Sequence, residues 1–120
     1  MHFVDQSVTN FSGHLRSIHV NDNLCTLSFK LASEFGAHTF FVITLRQHPN
    51  RRKKGTVSGF SRNLATPGSS KVKLNGAFSR RGENLRVYAS GVNDSFGMTL
   101  SHIDLDLDSL AIDSQAYHLT

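Results

Sequence analysis

Leu24-Cys25-Thr26-Leu27-Ser28-Phe29-Lys30-Leu31 alternates apolar and polar side chains without a break. Cys25, Leu27, Phe29 and Leu31 fall on one side of an extended backbone, and Thr26, Ser28 and Lys30 on the other. A strand with one buried face requires that period of two. Upstream, Asn21-Asp22-Asn23 is a strong turn signal. Before it, residues 12–20 form a strand candidate whose apolar side chains, Leu15, Ile18 and Val20, change phase midway. A β-bulge near Ser17 accounts for the change. Downstream, residues 33–37 read as a loop around Gly36, and residues 39–45 are apolar on both faces. Phe41, Ile43 and Leu45 share one face, and Phe40 and Val42 the other, as in a central strand. On so apolar a strand, Phe40 is expected in the core, with a base-stacking position on the surface as the alternative.

The character changes over residues 47–70, which are rich in Gly, Ser, Asn and basic residues and hold both prolines. This stretch reads as a long basic loop between strands 3 and 4, with a short piece of structure around Val57–Phe60. Alternation returns over residues 71–78, with Val72, Leu74 and Phe78 inward and Lys71, Lys73 and Asn75 outward. Gly76 marks a place where that strand bends or is closely approached. Arg80-Arg81-Gly82-Glu83-Asn84 is a hairpin connection. Residues 85–92 put Leu85, Val87 and Ala89 against Arg86, Tyr88 and Ser90, and residues 98–107 end with Ile103, Leu105 and Leu107 against Asp104, Asp106 and Asp108. Helical periodicity is weak throughout. The expected fold is all-β, a small barrel or sandwich of five or six strands occupying residues 1–108. Residues 109–120 are expected as a tail, frayed or briefly helical.

Charge is sorted along the chain. Eleven of the thirteen Lys and Arg residues lie between Arg46 and Arg86, with Glu83 as the sole acid there. Residues 87–120 carry five Asp and no Lys or Arg. A concentrated positive field attracts polyanions by releasing their counterions. Arg46, Arg51, Arg52, Lys53, Lys54 and Arg62 would form a mobile electrostatic arm. Lys71, Lys73, Arg80, Arg81 and Arg86 would contact phosphates from one surface, while Tyr88 and Phe60 stack on unpaired bases. The alternative for the basic run is a solvated, solubilising loop.

Other chemistry has little support. Asp104, Asp106 and Asp108 lack the glycine turn and distal Glu of a calcium loop. They read as the wet side of a strand, or as an acidic end that folds over the basic groove or recruits a basic partner protein. The seven histidines have no zinc-motif spacing, and Cys25, the only cysteine, lies on an inward face. No metal, cofactor or catalytic site is expected, and the phosphate-loop and nucleophile-elbow motifs are missing. A single cysteine, no apolar run long enough to span a membrane and no leader-like start point to a cytoplasmic protein with no membrane partner.

The order of elements resembles the oligonucleotide/oligosaccharide-binding (OB) fold of bacterial single-stranded DNA-binding proteins. Gly13-His14-Leu15 resembles that family's early glycine, residues 24–31 its second strand and His38-Thr39-Phe40-Phe41-Val42 its third. Val72-Lys73-Leu74-Asn75-Gly76-Ala77-Phe78-Ser79-Arg80 resembles the opening of its hairpin. The resemblance covers about residues 11–93 and implies an OB-like barrel that binds single-stranded DNA or RNA, in a diverged member from a phage, plasmid or other mobile element. Departures are a basic loop where the family has a helix, no tryptophan, and an end reading Tyr117-His118-Leu119-Thr120. Two further readings stand beside it: a protein-interaction β-module of a phage, plasmid or secretion assembly with no nucleic-acid binding, and an enzyme built from scattered His and Asp. Homo-oligomers are compatible with either of the first two.

Overall fold

A computed structural model describes residues 7–64, 71–92 and 97–119. Residues 65–70 of the expected loop, His2 and Asp94 lie outside them. Eight strands follow one another: β1 (Ser7–Asn21), β2 (Leu24–Ser33), β3 (His38–His48), β4 (Arg51–Asn63), β5 (Val72–Arg81), β6 (Asn84–Val92), β7 (Met98–Asp106) and β8 (Ala111–Leu119). Each pairs antiparallel with its sequence neighbours, and β8 pairs with β1 to close the barrel. This is an up-and-down arrangement.

The all-β barrel matches the expectation, but its details correct three others. The strands number eight in meander order, which replaces the five- or six-stranded OB-like barrel. The long basic loop is largely strand: Arg51, Arg52, Lys53 and Lys54 open β4, reached from β3 through Pro49 and Asn50. In place of the tail expected over residues 109–120, Ala111–Leu119 form β8.

The local predictions for the recognisable strands hold. Phe29 stands opposite Phe41, and their rings stack 5.1 Å apart in the barrel interior. Leu27, Leu31, Ile43, Leu74, Val87, Ile103 and Ile112 complete the middle of the core, all nearly inaccessible. The β1–β2 register shifts between Leu15 and Ser17, the expected bulge, and this returns Ile18 and Val20 to the inward side opposite Leu27 and Cys25. Gly82, at φ 58°, opens the two-residue β5–β6 turn between paired Arg81 and Asn84, where the left-handed region favours glycine. A Cβ on Gly76 would overlap the Tyr88 carbonyl oxygen, so the close approach foreseen there is real.

Phe40 differs from expectation. It points outward, half-buried, opposite Lys30 on β2 and Arg62 on β4. The outer wall of a barrel can shelter an aromatic ring between cross-strand neighbours without placing it in the core.

Two measurements check this architecture. Phe29→Ala should lower unfolding free energy by roughly 3–5 kcal/mol in urea titrations, against about 1 kcal/mol for Phe40→Ala. Truncation after Asp108 should abolish the cooperative transition, because it reopens two strand edges; a tail would be lost without effect.

Candidate polyanion-binding face

The extended backbone of β4 breaks the consecutive cations Arg51–Lys54 into different directions. Arg52 reaches the barrel mouth, while Lys53 and Lys54 turn toward β5 and β6. The turn that presents them is tied down. Gln47 Nε2 donates to the Arg52 carbonyl at 2.8 Å, and Asn50 N–H donates to His48 Nδ1 at 3.1 Å. The basic run is part of a sheet and not a flexible arm.

Lys53, Lys54, Arg80, Arg81 and Arg86 line one depression of about 460 Å³, together with Ser79 and Asn84. No acid lines it. Lys54 opposes Ser79, and Ser79 opposes Arg86, so three adjacent strands meet on this patch. Arg80 Nε donates to the Gly82 carbonyl at 2.9 Å, which anchors one guanidinium at the turn. Among the described residues, Lys53, Lys54, Arg80 and Arg81 make no ion pair.

Arg86 is the exception. Its Nε donates to Asp104 Oδ1 at 3.1 Å, across the β6–β7 pairing. That hydrogen bond, then the charge of Asp104, raises the already high Arg86 pKa, so the group stays charged but partly neutralised. Acidic β7–β8 thus stands beside the basic patch and engages its edge. The expectation that the acidic end folds over the groove is corrected: Asp104 and Asp113 oppose each other on adjacent strands of the same wall.

Tyr88 follows Arg86 on the outward face of β6, about 7 Å further along. It is half-exposed and stacks on His102 of β7, ring centroids 4.8 Å apart and planes within 10°. His102 Nε2 is buried and lies 3.3 Å from Asp104 Oδ2, but it makes no hydrogen bond among the described residues. Tyr88, His102, Leu100 and Tyr117 wall a second, largely apolar depression of about 500 Å³. His102, Leu100 and Tyr117 were not singled out from sequence. The 88↔102 and 100↔117 registers bring them to Tyr88, and no local pattern announces those registers.

The remaining expected residues lie apart. Lys73 opposes Phe60 at the far end of the β4–β5 wall, with Arg62 close by on β4. Lys71 Nζ sits 4.3 Å over the Phe60 ring, a cation–π contact that covers one face of it. Eight residues of β4 separate Lys54 from Arg62, about 26 Å at 3.3 Å per residue. The cations expected on one concave surface therefore form two groups on one wall. Arg46 is exposed on β3 opposite Thr56, between them. Among the described residues, no group of three or more His, Cys, Asp or Glu side chains could hold a metal ion.

What the fold and face define is a closed meander barrel with a basic wall. No family model, no curated protein and no solved structure matches the chain.

Asp104→Asn should release Arg86 into the basic depression. Affinity for a short heparin oligosaccharide should rise about two- to fivefold, the scale of an exposed ion pair, whereas Lys53→Gln with Lys54→Gln should lower it. Calorimetric titration reads both changes.

Proposed function

We propose that the protein is a non-enzymatic binder of single-stranded nucleic acid, DNA or RNA, with little sequence preference. One observation carries this reading. Five cations, four of them without an acidic partner among the described residues, converge on one depression, and its edge residue Arg86 stands two positions along β6 from the Tyr88–His102 stack. Cations follow phosphates, and an exposed ring face takes an unpaired base for roughly 1–3 kcal/mol. Arg62, Lys71 and Lys73 provide a second phosphate contact along the same wall. Thr56, Ser58, Asn75 and Ala77 separate the two groups with small side chains that leave a strand room to pass. A duplex offers the same phosphates but no open base plane to Tyr88.

The second reading, a protein-interaction module, draws on the outer apolar side chains. Val8, Tyr88 and Leu100 are 41–51% exposed, and Tyr117 lies between Leu100 and Val8 in register. A surface of this kind is commonly covered by another protein.

Fluorescence anisotropy with labelled single-stranded and duplex oligonucleotides separates the two. Single strands should bind more tightly, with a log–log salt slope of about −3 for four phosphate contacts. Lys53→Glu with Lys54→Glu should weaken all single-stranded sequences alike by about tenfold or more, and Lys71→Glu with Lys73→Glu by less. Equal affinity for both strand forms, or no loss in the first double variant, rejects the proposal. Silence on both oligonucleotides together with a defined oligomer selects the interaction module.

A further inference from the structure

At the end carrying the β1–β2, β3–β4, β5–β6 and β7–β8 turns, the barrel interior opens into a cavity of about 250 Å³. Leu27, Leu45 and Leu85 are its buried floor. Ile18, Val20, Cys25 and Phe78 are walls. Ile18 and Val20 occupy inward register positions, opposite Leu27 and Cys25, yet they are 49% and 67% exposed. Apolar side chains on the inner face of a closed barrel are normally covered by one another. Here the space that would cover them is open.

The rim is polar and uneven. Asp22 and Asn23 stand at the β1–β2 turn, and Gln47, Arg52 and Arg80 on β3–β5. Both arginines start from fixed ground: the Arg52 carbonyl accepts the Gln47 amide at 2.8 Å, and Arg80 Nε is held by Gly82 at 2.9 Å. A guanidinium matches a carboxylate in shape and charge, while Asp22 repels it from the opposite side.

We propose that this mouth binds a medium-chain alkyl carboxylate, with the chain between Ile18, Val20, Phe78 and the leucine floor, and the carboxylate at Arg52 and Arg80. At about 30 Å³ per water-sized group, the cavity holds about eight heavy atoms. A neutral hydrocarbon would fill the walls and ignore the arginines. A phosphate polymer would meet the arginines but not enter the apolar space. The alkyl carboxylate satisfies both, and its site is distinct from the outer face of β4–β6 apart from the shared Arg80.

Cys25 reports occupancy without reference to nucleic acid. It is the only cysteine, it is partly accessible, and burial pushes its thiol pKa up. Iodoacetamide should therefore alkylate it slowly near neutrality and faster in mild alkali. Octanoate should slow that alkylation and release measurable heat on titration; acetate, which lacks the chain, should do neither. Octanol should bind about tenfold more weakly than octanoate. Arg52→Gln with Arg80→Gln should weaken octanoate about tenfold and leave octanol binding and the circular dichroism spectrum unchanged. The proposal is overturned if octanoate neither binds nor protects Cys25, or if octanol equals octanoate in the parent protein. Protection that rises with protein concentration alone would also overturn it, by assigning the mouth to a second copy.

Discussion

The pairing of β8 with β1 is the constraint on which the rest depends. Eight register pairs, from Ser7↔His118 to His14↔Ala111, tie the last strand to the first. They remove the two edges that an open sheet of this length would present to other chains. They also divide every strand residue between an enclosed interior and an outer wall. A one-residue slip in any pair would exchange the two sets, expelling Phe29, Ile43 or Ile103 and importing Lys30, Thr44 or Asp104. Burial of the interior set therefore fixes the position of every outward charge.

Meander order has an electrostatic consequence. In this barrel, position around the axis advances steadily with residue number, since each strand neighbours the next. Charge sorted along the chain thus becomes charge sorted around the wall. The basic stretch becomes β3–β6, and the acidic stretch becomes β7–β8. The Arg86–Asp104 pair sits where the two sectors meet. A fold with long crossovers would have interleaved the same charges and weakened the field outside.

The strands that could be read from sequence were those with a run of consecutive apolar residues at inward positions. Leu27–Phe29–Leu31 on β2, Leu85–Val87–Ala89 on β6 and Ile103–Leu105 on β7 are of this kind. β4 and β8 were missed for one reason. Their inward positions include Gly55, Gly59 and Ser61 on β4 and Ser114 and Ala116 on β8. Small side chains there leave space for the large ones of facing strands, as small barrels require. That packing erases the hydrophobic period that marks a strand. Within the candidate face, Lys53, Lys54, Arg80, Arg81, Arg86 and Tyr88 were recognisable by type. The shared surface of Arg80, Arg81 and Arg86 followed from the expected hairpin, but the arrival of Lys53 and Lys54 beside them did not, and neither did the His102 stack nor the separation of Lys71, Lys73, Phe60 and Arg62 from the main depression.

By itself, the order of side chains determined the strand class, the inner and outer faces of the alternating segments, the Ser17 bulge and the segregation of charge. Each depends on residues within a few positions of one another, where backbone geometry alone relates them. Strand number, closure, the mouth between Ile18 and Arg80, and the meeting of five cations at one depression were decided only in three dimensions. They depend on which strand lies beside which, and on how large and small side chains share one interior, and neither is encoded in any single stretch of the chain.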